Sequence, residues 1–170
     1  MPMGTHASYY VVTPTALRSF RTGPGPAHLE DPASASVAAV YLGRGYWGLW
    51  EALDPISVRE AGEYGDQAKE TFPVVRSPLG RAVVGSRVLS PEFSSEWEDT
   101  YGVRGHHRVT LPDEVGETLR ALRAVPPGVL TSYRPAHGPL EHDLRSLHRV
   151  LTAVYDIADA RGCAVVVFIG

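Results

Sequence analysis

The sequence predicts a single α+β domain. Its mixed sheet has the last strand at the centre and packs against several helices, the longest at the C-terminal end. Three observations predict this. Leu140, Leu144, Leu147, Leu151, Val154 and Ala158 recur at steps of four and three, the stripe of an amphipathic helix over Leu140–Arg161 that Val150 and Ile157 widen. Gly162 then stops the helix, and Ala164–Ile169 is apolar at every position, which describes a strand covered on both faces. At the other end, Ala7–Val12 is rich in β-branched and aromatic residues and reads as the first strand. The length, 170 residues, suits one domain spanning 1–170, in which a folded chain buries roughly 70% of its unfolded surface.

Between those anchors the elements follow in order. Thr13-Pro14 supplies a cap and a first-turn proline for a short helix from Thr15 to about Phe20, with Leu17 and Phe20 on one side. Arg21–Pro32 is full of glycine and proline and reads as a loop. Ser34 or Ser36 caps a helix through Val37, Val40, Tyr41 and Leu42, which Gly43 and Gly45 interrupt. Tyr46, Leu49, Trp50 and Leu53 form the next helical stripe, closed by Asp54-Pro55. Ser57–Thr71 is polar and acidic, a surface excursion. Ser77-Pro78 opens one or two helical turns through Leu79, Ala82 and Val83, ended by Gly85, and Ser86–Leu89 is a short strand. Arg108–Leu111 alternates as a strand and leads into a helix over Asp113–Val125, with Val115, Leu119, Leu122 and Val125 on one face. Pro126-Pro127-Gly128 stops that helix, and Val129–Pro139 reads as irregular.

Composition narrows the class of function. The chain is 44% hydrophobic and 21% charged, as globular proteins are. Its net charge of −3 and the lack of a basic stripe argue against nucleic-acid binding, which needs cations to neutralise phosphates. Lys69 is the only lysine among sixteen basic residues, a skew towards arginine that fits a high-GC bacterial coding bias. Cys163 is the single cysteine, so no intrachain disulfide forms. With no signal-peptide pattern at the start and no apolar run near the ~18 residues that span a bilayer, the expected location is the cytoplasm.

The opening Met3-Gly4-Thr5-His6-Ala7-Ser8-Tyr9-Tyr10 with Thr13-Pro14, the tryptophan-bearing helix around Tyr46–Leu53, the run Ser77–Gly85 and the helix–glycine–strand ending Leu144–Gly170 together resemble the YfbM-like family of small bacterial proteins. The resemblance covers most of the chain in order. It implies an α+β fold, one domain and a family of unknown function, with no catalytic residues to carry over. The chain departs from the pattern after its first helix tryptophan, where Gly48 and Glu51 stand near the place of a histidine.

Chemistry-bearing residues are weighed against their structural roles. His142 and His148 are six apart, about 240° around a helix, whereas helical metal pairs need spacings of three or four, so with His137 they read as solvent-facing or capping and no metal is expected. His106 and His107 point to opposite faces of a strand. Cys163 opens the most buried strand and behaves as a small hydrophobe. Gly80–Ser86 lacks the lysine of a phosphate loop, Gly43-x-Gly45 lacks a third glycine, and no cofactor is implied. No Gly-x-Ser-x-Gly elbow occurs.

Two readings survive. In the first, the chain is a non-enzymatic binding protein, immunity-type in one version, that docks a protein partner through an acidic, aromatic surface of Phe93, Glu96, Trp97, Glu98, Asp99 and Tyr101. In the second, Trp47, Trp50 and Glu51 line a small-molecule pocket of an enzyme or ligand-binding domain. The missing catalytic constellation favours the first.

Overall fold

A computed structural model describes residues 6–22, 36–63, 74–89, 106–133 and 143–169. The chain runs β1 (Ala7–Val12), α1 (Pro14–Thr22), β2 (Ser36–Gly43), α2 (Gly45–Leu53), α3 (Pro55–Glu63), α4 (Pro78–Val84), β3 (Arg87–Val88), β4 (His106–Thr110), α5 (Pro112–Arg123), α6 (Pro127–Ser132), α7 (Leu144–Arg161) and β5 (Ala164–Ile169). The strands form one sheet in the order β2-β1-β5-β4-β3, which puts β5 at the centre. Every pairing among the described residues is antiparallel, so the sheet they form is not mixed. The first and last strands pair along their whole length, from Ala7↔Ile169 to Val12↔Ala164.

The all-apolar β5 is buried on both faces, as its sequence required. Val165, Val167 and Ile169 join the main core with Leu49, Trp50, Leu119, Leu122, Leu151 and Val154 from the helices. Ala164 and Val166 face the opposite way, into a smaller core with Val12, Val109, Leu89 and the α1 residue Leu17. Of the α1 stripe, the Phe20 side chain lies outside those described. In α7, Asp143 caps the first turn by accepting from Ser146 N–H (2.8 Å), and Gly162 ends the helix at φ 64°. The helix thus starts at Leu144 among the described residues. Val150 and Ile157 stand exposed, so the buried stripe is narrower than the apolar one.

Three segments differ from their sequence reading. Ser36–Gly43 is a strand, not a helix. Val37, Val40 and Tyr41 fit helical spacing, but pairing with β1 imposes the period of two, leaving Val37, Ala39 and Tyr41 outward and Leu42 buried. Of Ser57–Thr71, read as a surface excursion, the described part to Glu63 is helical, within a helix started by Asp54, whose Oδ1 accepts from Ser57 N–H (3.3 Å). Pro127–Ser132 is also a helix, since Pro127 suits its first turn and Leu130 is buried.

The run Ser77–Gly85 is a packing device. Ser77 accepts from Gly80 N–H, Pro78 occupies the first turn, and Gly80 through Ser86 are all buried. A methyl at Gly80 would sit 2.4 Å from Asp54 Oδ2. The carbonyls of this short helix are met by side chains from three other elements. The Tyr9 hydroxyl donates to Val83 (2.6 Å), Tyr155 (3.2 Å) and Thr110 (3.3 Å) converge on Arg81, and the Arg108 guanidinium reaches Val84 and Gly85. Burial holds the Tyr9 and Tyr155 phenols well above their ordinary range, so both remain protonated donors.

Glu114 ties α5 to the sheet edge. Its carboxylate accepts from Leu111 N–H (2.9 Å), the Ser86 hydroxyl (2.7 Å) and Arg87 (3.0 Å). Burial alone would raise its pKa, but these donors hold it below the usual 4.5. A carboxylate held low contributes stability that is present above the unfolded value and is lost as pH falls through the folded one. Glu114→Gln is therefore expected to cost about 1–2 kcal/mol at neutral pH. It should also flatten the loss of stability below pH 4.5, measured as the urea midpoint between pH 7 and pH 3. A variant that keeps the wild-type acid slope would contradict this assignment.

Candidate functional site

The tryptophan helix brings Trp47, Trp50 and Glu51 together but gives them separate partners. Trp50 is 1% exposed, and its indole N–H donates to the Ser57 hydroxyl (2.7 Å) in α3. Trp47 is half-buried, meets Trp50 edge to face at 5.5 Å, and donates to Glu51 Oε1 (2.7 Å). The other oxygen of Glu51 accepts from the Tyr133 hydroxyl just after α6. Partial burial first, and then the facing Glu51, hold the Tyr133 phenol above its ordinary range, so it stays protonated and donates. Both carboxylate oxygens are thereby engaged. This geometry clamps α6 onto α2.

A groove of about 460 Å³ runs between the end of α5, α6 and α7. Along α7 it is lined by Arg145, His148, Arg149, Thr152, Ala153 and Asp156, and across from them by Arg123, Val125, Pro127 and Leu130. Positions 145, 149, 152 and 156 fall within a narrow arc of the helix, so the wall extends about 16 Å at 1.5 Å per residue. The His148 ring donates Nε2–H to the Leu122 carbonyl (2.8 Å), which caps the last turn of α5 and fixes the wall against it. Arg123 pairs with Asp156 (2.5 Å), both well exposed, a contact of small energetic weight. Arg149 makes no ion pair among the described residues, and Arg145 has only the field of the helix-capping Asp143. Two guanidiniums thus lie open beside the apolar Val125, Leu130 and Ala153.

Other sequence candidates fall elsewhere. Phe93, Glu96, Trp97, Glu98, Asp99 and Tyr101 lie outside the described residues, as do His137 and His142. His107 is buried in β4 with its ring 4.7 Å from that of Phe168. Cys163 is buried, as the sequence reading had it. No group of three metal-ligating side chains occurs among the described residues, and no described helix is long and apolar enough to cross a membrane. Tyr133 and the basic wall were not foreseen. The signal for the wall was present, because Arg145, His148 and Arg149 stand at i, i+3 and i+4 on the polar face of the C-terminal helix. Arg123 and Tyr133 left none, since they join the site only through the tertiary packing of α5 and α6.

Comparisons with known proteins address the fold. No family model matches the chain, and no curated protein matches it. Among solved structures it is similar to YfbM from Escherichia coli, a protein of unknown function. The two are 13% identical with a TM-score of 0.62, over 97% of this chain and 99% of that one. At that identity the likeness shows the fold: the chain has a YfbM-like α+β architecture.

Proposed function

We propose that this chain is a non-enzymatic binding protein that engages another protein in the cytoplasm, with an acidic segment of the partner lying in the groove along α7. The observation that carries the reading is the pair of open guanidiniums, Arg145 and Arg149, set beside an apolar floor. Arginine beside apolar surface is a common anchor of protein interfaces, and its planar fork suits carboxylates. A protein partner fits better than nucleic acid, because a net charge of −3 opposes a polyanion over the rest of the surface. The acidic, aromatic set Phe93, Glu96, Trp97, Glu98, Asp99 and Tyr101 belongs to the same proposal as a second contact surface, and an immunity-type role is one form of it. The small-molecule reading has less support. Trp50 is closed to solvent and Glu51 is engaged at both oxygens, which leaves Trp47 as its one half-exposed wall.

The test uses a labelled peptide of alternating glutamate and leucine, with its lysine–leucine counterpart as control, followed by fluorescence anisotropy. The acidic peptide is expected to bind and to weaken as salt rises. Reversing both cations, R145E/R149E, should cost at least about tenfold in affinity while leaving the thermal midpoint unchanged, since both side chains are exposed. Equal binding of the two peptides, or an indifferent double variant, would remove the groove from the proposal.

A further inference from the structure

We propose that two copies of this chain associate edge to edge through β2, joining the two sheets into one continuous antiparallel sheet. β2 is an outermost strand of the sheet, and it is long, eight residues against two for β3 at the opposite edge. Its sequence, Ser-Val-Ala-Ala-Val-Tyr-Leu-Gly, contains no charge and no proline. Those are the devices that usually keep an edge from pairing. The irregularities in its pairing with β1 fall at the two ends, between Ala7/Ser8 and Val11/Val12, so the stretch Ala38–Tyr41 is regular. Among the described residues no strand pairs with its outer edge. The N–H and C=O groups presented there recur with the spacing of a strand ladder, a ready template for another strand.

The side chains favour a second copy as that strand. Val37 and Tyr41 are 41% and 64% exposed, lie on the face turned away from the main helical layer, and flank Ala39. In an antiparallel pair, residues opposite each other share a face. A twofold axis through Ala39 sets Val37 against Tyr41 of the partner subunit, and Tyr41 against the partner's Val37, with the two Ala39 residues meeting between them. Branched and aromatic side chains are favourable cross-strand mates. On the opposite face the same register places Ala38 against the partner's Val40, beside the core those residues already flank. An axis through Ala38 would pair Val37 with Ala39, and one through Val40 would pair Val37 with Gly43. The Ala39 register alone mates both exposed side chains. Tyr41 is already held on its own chain, stacked on His6 at 5.7 Å and hydrogen-bonded to it. Little of its freedom remains to be lost on pairing.

Sedimentation equilibrium on the full chain tests this, with circular dichroism confirming the fold of each variant. The wild-type chain should show a concentration-dependent monomer–dimer equilibrium. V37K should weaken association at least about tenfold by opposing a buried charge to Tyr41 of the partner. V37K/Y41E should restore it, because the register sets each new cation against the new carboxylate of the other copy, whereas V37K/Y41K should not. A wild-type chain that stays monomeric throughout, a V37K chain that still dimerises, or a V37K/Y41E chain no better than V37K overturns the proposal.

Discussion

Gly85→Ala is expected to destabilise the fold by about 4 kcal/mol, lowering the urea midpoint without changing the slope of the transition. Two independent costs add. Gly85 has φ 74° and ψ 165°, a region that side-chain-bearing residues almost never occupy and that costs about 1–3 kcal/mol to enforce. A methyl group there would also lie 2.9 Å from the Val109 backbone nitrogen and 3.0 Å from Arg108 Cβ. The first of these contacts is with the backbone of a paired strand, which cannot swing aside, and overpacking of this kind costs about 1–3 kcal/mol. Nor can the segment retreat. Gly85 N–H donates to Arg81 (2.8 Å), and Ser86 N–H donates to Val109 (2.9 Å). Gly128→Ala is the control: it is helical, with nothing within 4 Å of the added carbon, and should change stability by less than about 1 kcal/mol. If Gly85→Ala behaves like the control, the close approach of α4 to β4 is wrong.

The same residues show what the sequence could and could not announce. Local signals placed α4 well: a serine cap, a proline in the first turn and a terminal glycine are all read within nine residues. The uninterrupted apolar run of β5 and the stripe of α7 were equally legible, because each states its burial in its own composition. Where two periods fit the same side chains, local reading failed. In β2 the alanines favour helix, in agreement with the helical spacing, and pairing with β1, which lies more than twenty residues earlier, overrides both. The antiparallel character of the sheet was hidden for a related reason, since it depends on which strands flank β5 and not on any strand alone.

The groove was half legible. Arg145, His148 and Arg149 lie on one helix, and their shared face follows from spacing. Arg123 and Leu130 reach the same groove from α5 and α6, and α6 was read as irregular because a six-residue helix carries too few turns to show a stripe. Glu51 shows the converse. Its sequence neighbours suggested a carboxylate in an aromatic pocket, whereas Tyr133, 82 positions away, takes up its second oxygen. A polar residue's role depends on partners that its local sequence does not name.

Removal of the Arg108 side chain is expected to be comparably severe, about 4 kcal/mol for Arg108→Ala, and the reason differs. This arginine is fully buried in β4, and burial draws its guanidinium down to about 9. A cation in that position survives because it sits at the C-terminal end of α4, where the helix dipole is negative. There it donates to the Val84 and Gly85 carbonyls. Truncation leaves a cavity and takes a donor from each carbonyl, at about 1–3 kcal/mol for each group left unsatisfied. Arg108→Met separates the two effects. It restores most of the volume but no donor, and because the acceptors are backbone they cannot be replaced by apolar groups along with it. Met should therefore recover the cavity part only, remaining about 2 kcal/mol below wild type. A methionine variant as stable as wild type would mean that Arg108 fills space and that its bonds to α4 contribute nothing net. One as unstable as the alanine variant would assign the whole loss to those bonds.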